Sequence, residues 1–193
     1  MLLHKREADP LFDRFPVIES DRLVLRRLTV ADAPALFHML RDEEVARFSG
    51  RPRLRRMSEA VELVRSIGLD FATRRSIRWG VSEHPQGPVL ATVGLHNWDR
   101  YHRHIGVGFD VVRDRWGEGI ASESLGAVVE FAFRELEVNR VEAEVISENE
   151  ACLTVLERQG FVREGLLKER MYHSGSFRDI VLLACRGTQV LPH

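Results

Sequence analysis

The stretch Ile105-Gly-Val-Gly-Phe-Asp-Val-Val-Arg-Asp-Arg-Trp-Gly-Glu-Gly-Ile-Ala121 carries the reading of the fold. Ile105, Val107, Phe109 and Val111 alternate with Gly106, Gly108, Asp110 and Val112, the period-two pattern of a strand with one apolar face. The strand runs into a loop holding Gly117 and Gly119. Beyond it Ala121, Leu125, Val128, Val129, Ala132 and Leu136 recur at helical spacing, and Val141-Glu-Ala-Glu-Val-Ile146 returns to strand. Strand, glycine loop, helix, strand is a βαβ unit.

Upstream, Leu23-Val-Leu25 predicts a first strand after a polar lead-in of residues 1–17. Thr29 with Asp32 forms a capping box opening a helix over 30–40. Ser58 is the expected cap of a helix reaching Thr73, with Val61, Val64, Leu69 and Phe71 as an apolar stripe interrupted by Gly68. Between these helices lies a basic loop, Arg51-Pro-Arg-Leu-Arg-Arg56. Strands over 77–83 and 89–98 flank His84-Pro-Gln-Gly-Pro88, whose prolines and glycine exclude either element. Downstream, Ser147 with Glu150 predicts another capping box, and Gly160 ends that helix. The span from Phe161 to Cys185 reads as a hairpin turning at His173-Ser-Gly-Ser176. The expected fold is a single α+β domain over 1–193, its core at about 18–186, with a mixed sheet of six to seven strands and about four helices.

A chain of 193 residues buries about 70% of its unfolded surface, enough for a core without metals or disulfides. The 44% apolar and 30% charged composition excludes disordered and fibrous classes. A net charge of -1 supplies no global field toward nucleic acid or membrane, so direct binding to either is not expected. Cys152 and Cys185 stand far apart with no CxxC spacing, which signals neither a zinc site nor a disulfide framework. The N-terminus offers no signal-peptide core, and no apolar run of membrane-spanning length follows, so the expected location is the cytoplasm.

A loop between a strand end and a helix start exposes backbone N–H groups without helical partners, and the helix dipole there favours negative charge. Glycines at 117 and 119 let a phosphate approach that backbone and permit positive φ. The blander alternative is glycines serving a tight turn. No Gly-Lys-Ser/Thr follows, which excludes a P-loop. The dinucleotide fingerprint G-x-G-x-x-G needs glycine where Ser122 stands, and the preceding strand is half polar rather than buried on both faces.

Four blocks resemble the GNAT acetyltransferases, and within them the RimJ/RimL-like branch of ribosomal-protein N-acetyltransferases. They are Ser20-Asp-Arg-Leu-Val-Leu-Arg26, Val107-Gly-Phe-Asp-Val111, Trp116-Gly-Glu-Gly-Ile-Ala-Ser-Glu123, and Asn149 with Glu157-Arg-Gln-Gly-Phe161. The resemblance spans about residues 20–185. It implies that acetyl-CoA is the cosubstrate, its pyrophosphate held by the backbone of Trp116, Gly117, Glu118, Gly119, Ile120 and Ala121. Its pantetheine would pair with the strand around Phe109, Val111 and Val112 and touch Asn149. A bulge inherited from the family pattern would splay this strand from the next. The implied reaction is direct attack by a primary amine in a ternary complex, needing no metal. The implied acceptor is a protein N-terminal α-amine or a small amine such as a polyamine, amino sugar or amino acid. Relatives of this kind are often homodimers. A non-catalytic acyl-CoA-binding module and a nicotinamide-dinucleotide enzyme stand as alternatives.

Three departures matter. Trp116 stands where the wider superfamily writes Arg or Gln. Leu156 stands where many members place a tyrosine to protonate the departing thiolate, and Cys152 lies where the RimL-like branch often has serine. Cys152 is therefore the candidate acid, against the plain reading of a packed cysteine. Asp110 is the candidate base, with Glu83, His96, His102 and His104 not separated from it by spacing. Asn149 has a local alternative as a helix cap, and the arginine loop reads as solvated surface or as a greeting for an acidic acceptor or RNA. Gly119→Val is expected to block the pyrophosphate and leave the fold intact.

Overall fold

The structure is a computed structural model and describes residues 12–187. One eight-stranded sheet runs in the order β1-β2-β3-β4-β5-β6-β8-β7. Its strands are β1 (Ile18–Glu19), β2 (Val24–Arg27), β3 (Ser76–Ser82), β4 (Ala91–Asp99), β5 (His104–Val111), β6 (Arg140–Ile146), β7 (Val162–His173) and β8 (Ser176–Arg186). The helices are α1 (Ala33–Arg41), α2 (Glu43–Phe48), α3 (Met57–Ala72), α4 (Ile120–Arg134) and α5 (Glu150–Arg158). The expected α+β class holds, with eight strands rather than six or seven and a fifth helix. β1 is two residues long and α2 six, too short for any period to show.

Local chemistry explains most boundaries. The Thr29 N–H donates to Asp32 Oδ2 at 2.8 Å, the expected capping box, and a 3-10 turn at Val30–Asp32 leads into α1. Asp42 caps α2 by accepting from the Glu44 and Val45 N–H groups. In α3 the cap is not Ser58: Glu59 reaches back to the N–H groups of Arg55 and Arg56 at 2.7 and 3.1 Å. The buried stripe of α3 is Ala60, Val64, Ile67 and Phe71, while Leu69 is 56% exposed. Likewise Asn149, not Ser147, caps α5, its Oδ1 accepting from the Cys152 N–H at 3.1 Å.

The core forms around Trp79, which is fully buried. Its ring meets Phe131 of α4 edge-on at 5.5 Å and Phe15 at 6.0 Å, and its Nε1–H donates to the Pro16 carbonyl at 2.7 Å. Phe12 and Phe15 also meet the Phe71 ring at a tilt, 5.2 and 4.8 Å between centroids. Phe12 and Phe15 of the polar lead-in thus pack against the core; the first eleven residues of that lead-in lie outside the described residues. Among the described residues no helix is long and apolar enough to cross a membrane.

The decisive feature of the topology lies between β5 and β6. They run parallel and share only the pairs His104↔Arg140, Ile105↔Val141 and Gly106↔Glu142. Beyond Gly106, β5 stays paired with β4 up to Val111↔Ala91, while β6 stays paired with β8 up to Ile146↔Ile180. The facing edges of 107–111 and 143–146 thus part, leaving main-chain groups in an open cleft. The register shift beside this fork sits on β4 between His96 and Asp99, where Asn97 has φ +52°. Within 106–111 the β5 ladder is regular.

Candidate active site

The glycine loop closes one end of the cleft. After β5 a 3-10 turn spans Arg113–Arg115, and α4 begins at Ile120. Gly117 and Gly119 have φ of +82° and +83°, conformations costing an L-residue roughly 1–2 kcal/mol. The first helical bond of α4 runs from the Glu123 N–H to the Gly119 carbonyl, so the N–H groups of Ile120, Ala121 and Ser122 precede the ladder and point off the helix end. A Cβ on Gly117 would meet nothing within 4 Å, and one on Gly119 would lie 3.3 Å from an Arg22 Nη2. Valine at 119 would therefore be strained by its φ and pressed on Arg22, which corrects the expectation that Gly119→Val leaves the fold intact.

Side chains hold this loop rigid. The Trp116 Nε1–H donates to the Val111 carbonyl at 2.9 Å, so the residue replacing Arg or Gln staples the loop to β5. Arg115 binds Glu118 and Glu83, each at 2.6 Å, which makes Glu83 a loop anchor rather than a group of the cleft. Glu123 on the first turn of α4 accepts from the Ser20 hydroxyl, the Arg22 N–H and the Arg22 Nε–H, all at 2.8 Å. Arg22 in turn donates to the Glu118 carbonyl at 3.3 Å. A cationic side chain thus stands at the loop, supplied by the Ser20-Asp-Arg22 block instead of position 116. Sequence reasoning quoted Arg22 and gave it no role.

Burial alone would raise the Glu123 pKa, but the Arg22 N–H, the Ser20 hydroxyl and the Arg22 guanidinium outweigh it and hold the carboxyl below its ordinary value. Stability from a carboxylate with depressed pKa is present above about 4.5 and lost as pH falls through the lower folded value. Glu123→Gln is expected to lose about 1–3 kcal/mol at pH 7. In urea titrations the gap between wild type and variant should narrow steadily as pH falls below about 4.5; a gap that does not narrow with falling pH would refute this account.

A second set of polar groups lies on the Gly106/Gly108/Asp110 face. Register places Arg78 opposite Gly94 and His96 opposite Gly106. The missing Cβ atoms let both side chains lie flat: one on Gly94 would sit 3.0 Å from Arg78 Nε, and one on Gly106 2.9 Å from the His96 ring. Arg78 donates to Thr92 Oγ1 at 3.1 Å and stands 3.8 Å from Asp110. Burial, then the positive charge of Arg51, pull the Arg78 guanidinium down to about 10, with Asp110 opposing. His96 leans over the fork itself; burial, then Arg78, push its pKa below the ordinary histidine value, against the Gly106 backbone and Glu144. Its imidazole is neutral at pH 7, and its Nδ1 is buried without a hydrogen-bond partner.

Cys152 is partly buried on α5, its thiol pushed up to about 12 by burial and then by the negative charge of Asp110. Asp110, His96 and Cys152 are thus drawn into one region, while His102 and His104 belong to a partly exposed group with Asp99 and Glu142. Asn149 has its oxygen committed to the α5 cap. Val112 donates its N–H to the Leu90 carbonyl at 2.8 Å, so that donor is taken, and Phe109 packs partly buried against the core. Leu156 is core, 1% exposed. Arg78 was not foreseen; glycines at 94, 106 and 108, all on one face, are the signal that large side chains cross there.

Residues 22–162 match the model of the GNAT acetyltransferase domain. The chain belongs to this family. It is 33% identical over 165 residues to the uncharacterized N-acetyltransferase YoaA of Bacillus subtilis (strain 168), covering 86% of this chain and 93% of that one. It is 23% identical over 161 residues to a spermidine N(1)-acetyltransferase of Vibrio cholerae, covering 83% and 91%. Its fold matches that of RimL, a ribosomal alpha-N-protein acetyltransferase solved with coenzyme A, at TM-score 0.80 and 20% identity over 89% of this chain and 98% of that one. This GNAT chain is an acetyl-CoA-dependent N-acetyltransferase with RimJ/RimL-type relatives. Its residues fit the family's donor: a forked sheet edge for an amide-bearing arm, and a rigid run of free N–H groups beside Arg22 for phosphates.

Proposed function

We propose that this acetyltransferase moves an acetyl group from acetyl-CoA to an α-amine by direct attack at the fork between β5 and β6. The observation that carries the reading is that fork: three shared pairs, then two diverging edges, with the neutral His96 ring over its apex. The Trp116 N–H, expected in the cradle, donates to the Arg113 carbonyl at 3.1 Å, so the backbone N–H groups from Gly117 to Ala121, with Arg22 beside them, hold the pyrophosphate. The backbone of β5 between Val107 and Val111 pairs with the pantetheine amides, and Asn149, whose oxygen caps α5, touches the same arm through its amide nitrogen. Acetyl-CoA supplies the activated acyl group.

His96 accepts the proton from the attacking amine, and Asp110 helps orient the incoming ammonium. A base whose pKa lies below 6.5 is weak. Deprotonation at pH 7 costs about 1.1 kcal/mol for an α-amine of pKa near 7.8 and about 4.6 for a lysine near 10.4. That arithmetic favours α-amines. CoA release with N-terminal peptides, amino acids and polyamines tests the reading: the α-amines should turn over at neutral pH. Tight acetyl-CoA binding with turnover on no amine would contradict it.

Cys152 is a partly buried, neutral thiol on α5. Proton transfer from a group at about 12 to a thiolate of pKa near 8.5 is uphill by roughly 5 kcal/mol, while an alkyl thiolate leaves tolerably unaided. Cys152→Ala is therefore expected to lower kcat less than fivefold. A loss of 100-fold would instead assign the thiol the role of acid.

A further inference from the structure

The arginine loop does not behave as one solvated surface. Arg53 donates to the Arg41 carbonyl at 2.5 Å, and Arg56 pairs with Glu59 at 3.3 Å; both are exposed. Arg51 differs. Its Nε is buried and has no hydrogen-bond partner, as is true of the Ser49 hydroxyl two residues earlier. No carboxylate pairs with Arg51 among the described residues. The segment carrying both follows α2 and is held down by the tip of the β7–β8 hairpin, where His173 Nε2 lies 2.9 Å from the Ala46 carbonyl and Met171 lies beside Gly50.

The side chain of Arg78 is 16% exposed. The positive charge of Arg51 reaches it and works against the Asp110 carboxylate, 3.8 Å away. Arg78 is therefore poorly solvated, with one carboxylate, Asp110, beside it and the charge of a second guanidinium reaching it. Glu144, which also faces His96, has its own partner in Arg170 at 3.8 Å. Like charges held together out of water are costly. The orphan Arg51 Nε and Ser49 hydroxyl add donors that lack acceptors. What the cluster lacks is an anion with several acceptor oxygens.

Building on the acetyl-transfer reading above, we propose that the acceptor carries a carboxylate close to its amine, bound by Arg51, Ser49 and Arg78 while the amine faces His96 and Asp110. An amino acid, or a peptide N-terminus with an acidic first or second residue, meets this description. Polyamines do not, because their second ammonium would meet the arginine pair.

The test has a turnover arm and a binding arm. In the first, CoA release is followed with alanine, phenylalanine and glutamate against their α-carboxamides, with Ser-Asp against Ser-Asn tetrapeptide amides, and with spermidine. Wild type should favour the carboxylate member of at least one matched pair tenfold or more in kcat/KM. The pair that shows it distinguishes an α-carboxylate from a side-chain one. In Arg51→Met that ratio should fall at least tenfold. In the second arm, calorimetry in the presence of CoA compares N-acetylated amino acids with their carboxamides. The carboxylates should bind at least tenfold more tightly to wild type, and Arg51→Met should lose the difference. Binding preference without turnover on any amine leaves the anion site standing and overturns acetyl transfer. Turnover with no carboxylate preference in either arm, a preference for spermidine, or a ratio unmoved by Arg51→Met overturns the anion site alone.

Discussion

Gly117→Asp is expected to weaken acetyl-CoA binding roughly 30-fold relative to Gly117→Asn, a difference of about 2 kcal/mol from one charge facing the pyrophosphate at an effective dielectric near 20. The pair is matched because Asn and Asp are the side chains that best tolerate positive φ. Position 117 has room for either, with nothing within 4 Å of the added Cβ. Both variants should therefore fold with similar thermal stability. Calorimetry at two salt concentrations reads the result: the gap should narrow as salt rises. Equal affinities for the two variants at low salt would remove the phosphates from this loop.

The second large effect is expected at the apex of the fork. His96→Gln should lower kcat about 100-fold, the low end of general-base contributions, with the dissociation constant for acetyl-CoA within twofold of wild type. Gly106→Ala approaches the same ring from beneath: its Cβ would stand 2.9 Å from His96, so the imidazole must shift, and kcat should fall at least tenfold. Because burial and Arg78 keep the His96 pKa below its ordinary value, the ring is already neutral above pH 6.5. The rise of kcat/KM with pH should therefore follow the acceptor ammonium and move when an acceptor of different amine pKa is used. A limb that stays fixed while the acceptor changes would contradict this assignment, as would full activity in His96→Gln.

Much of this molecule was legible before any coordinates. The alternation from Ile105 to Val111, the loop from Trp116 to Ala121 and the stripe on α4 each carry a local period or a turn requirement, and the structure puts them where those demand. The Thr29/Asp32 box and the turn at Ser174-Gly175 are equally local. The fork between β5 and β6 is not, because it follows from a competition: β6 bonds β8 over its whole length, β5 bonds β4, and three pairs remain between them. No window of sequence contains that choice. The Arg78–Asp110–His96 face is non-local as well, assembled from three strands whose glycines lie opposite the large side chains. Ser147 and Ser58 were plausible caps that lost to Asn149 and to Glu59. A residue one or two positions further on gave the helix end a better-placed oxygen in each case, a matter of about 1 kcal/mol. Arg51 was read only together with its charged neighbours, as solvated surface or as a greeting for an acidic acceptor or RNA, and the hairpin tip folded over its segment separates it from them.

Hydrogen exchange with and without acetyl-CoA tests the central claim most directly, since the account places the donor against main-chain groups and amide exchange reports on them. Peptides covering 107–111 and 117–122 should slow their exchange on binding, while the β7–β8 hairpin stays unchanged. Binding with unaltered exchange in both segments would place the donor elsewhere and contradict the account.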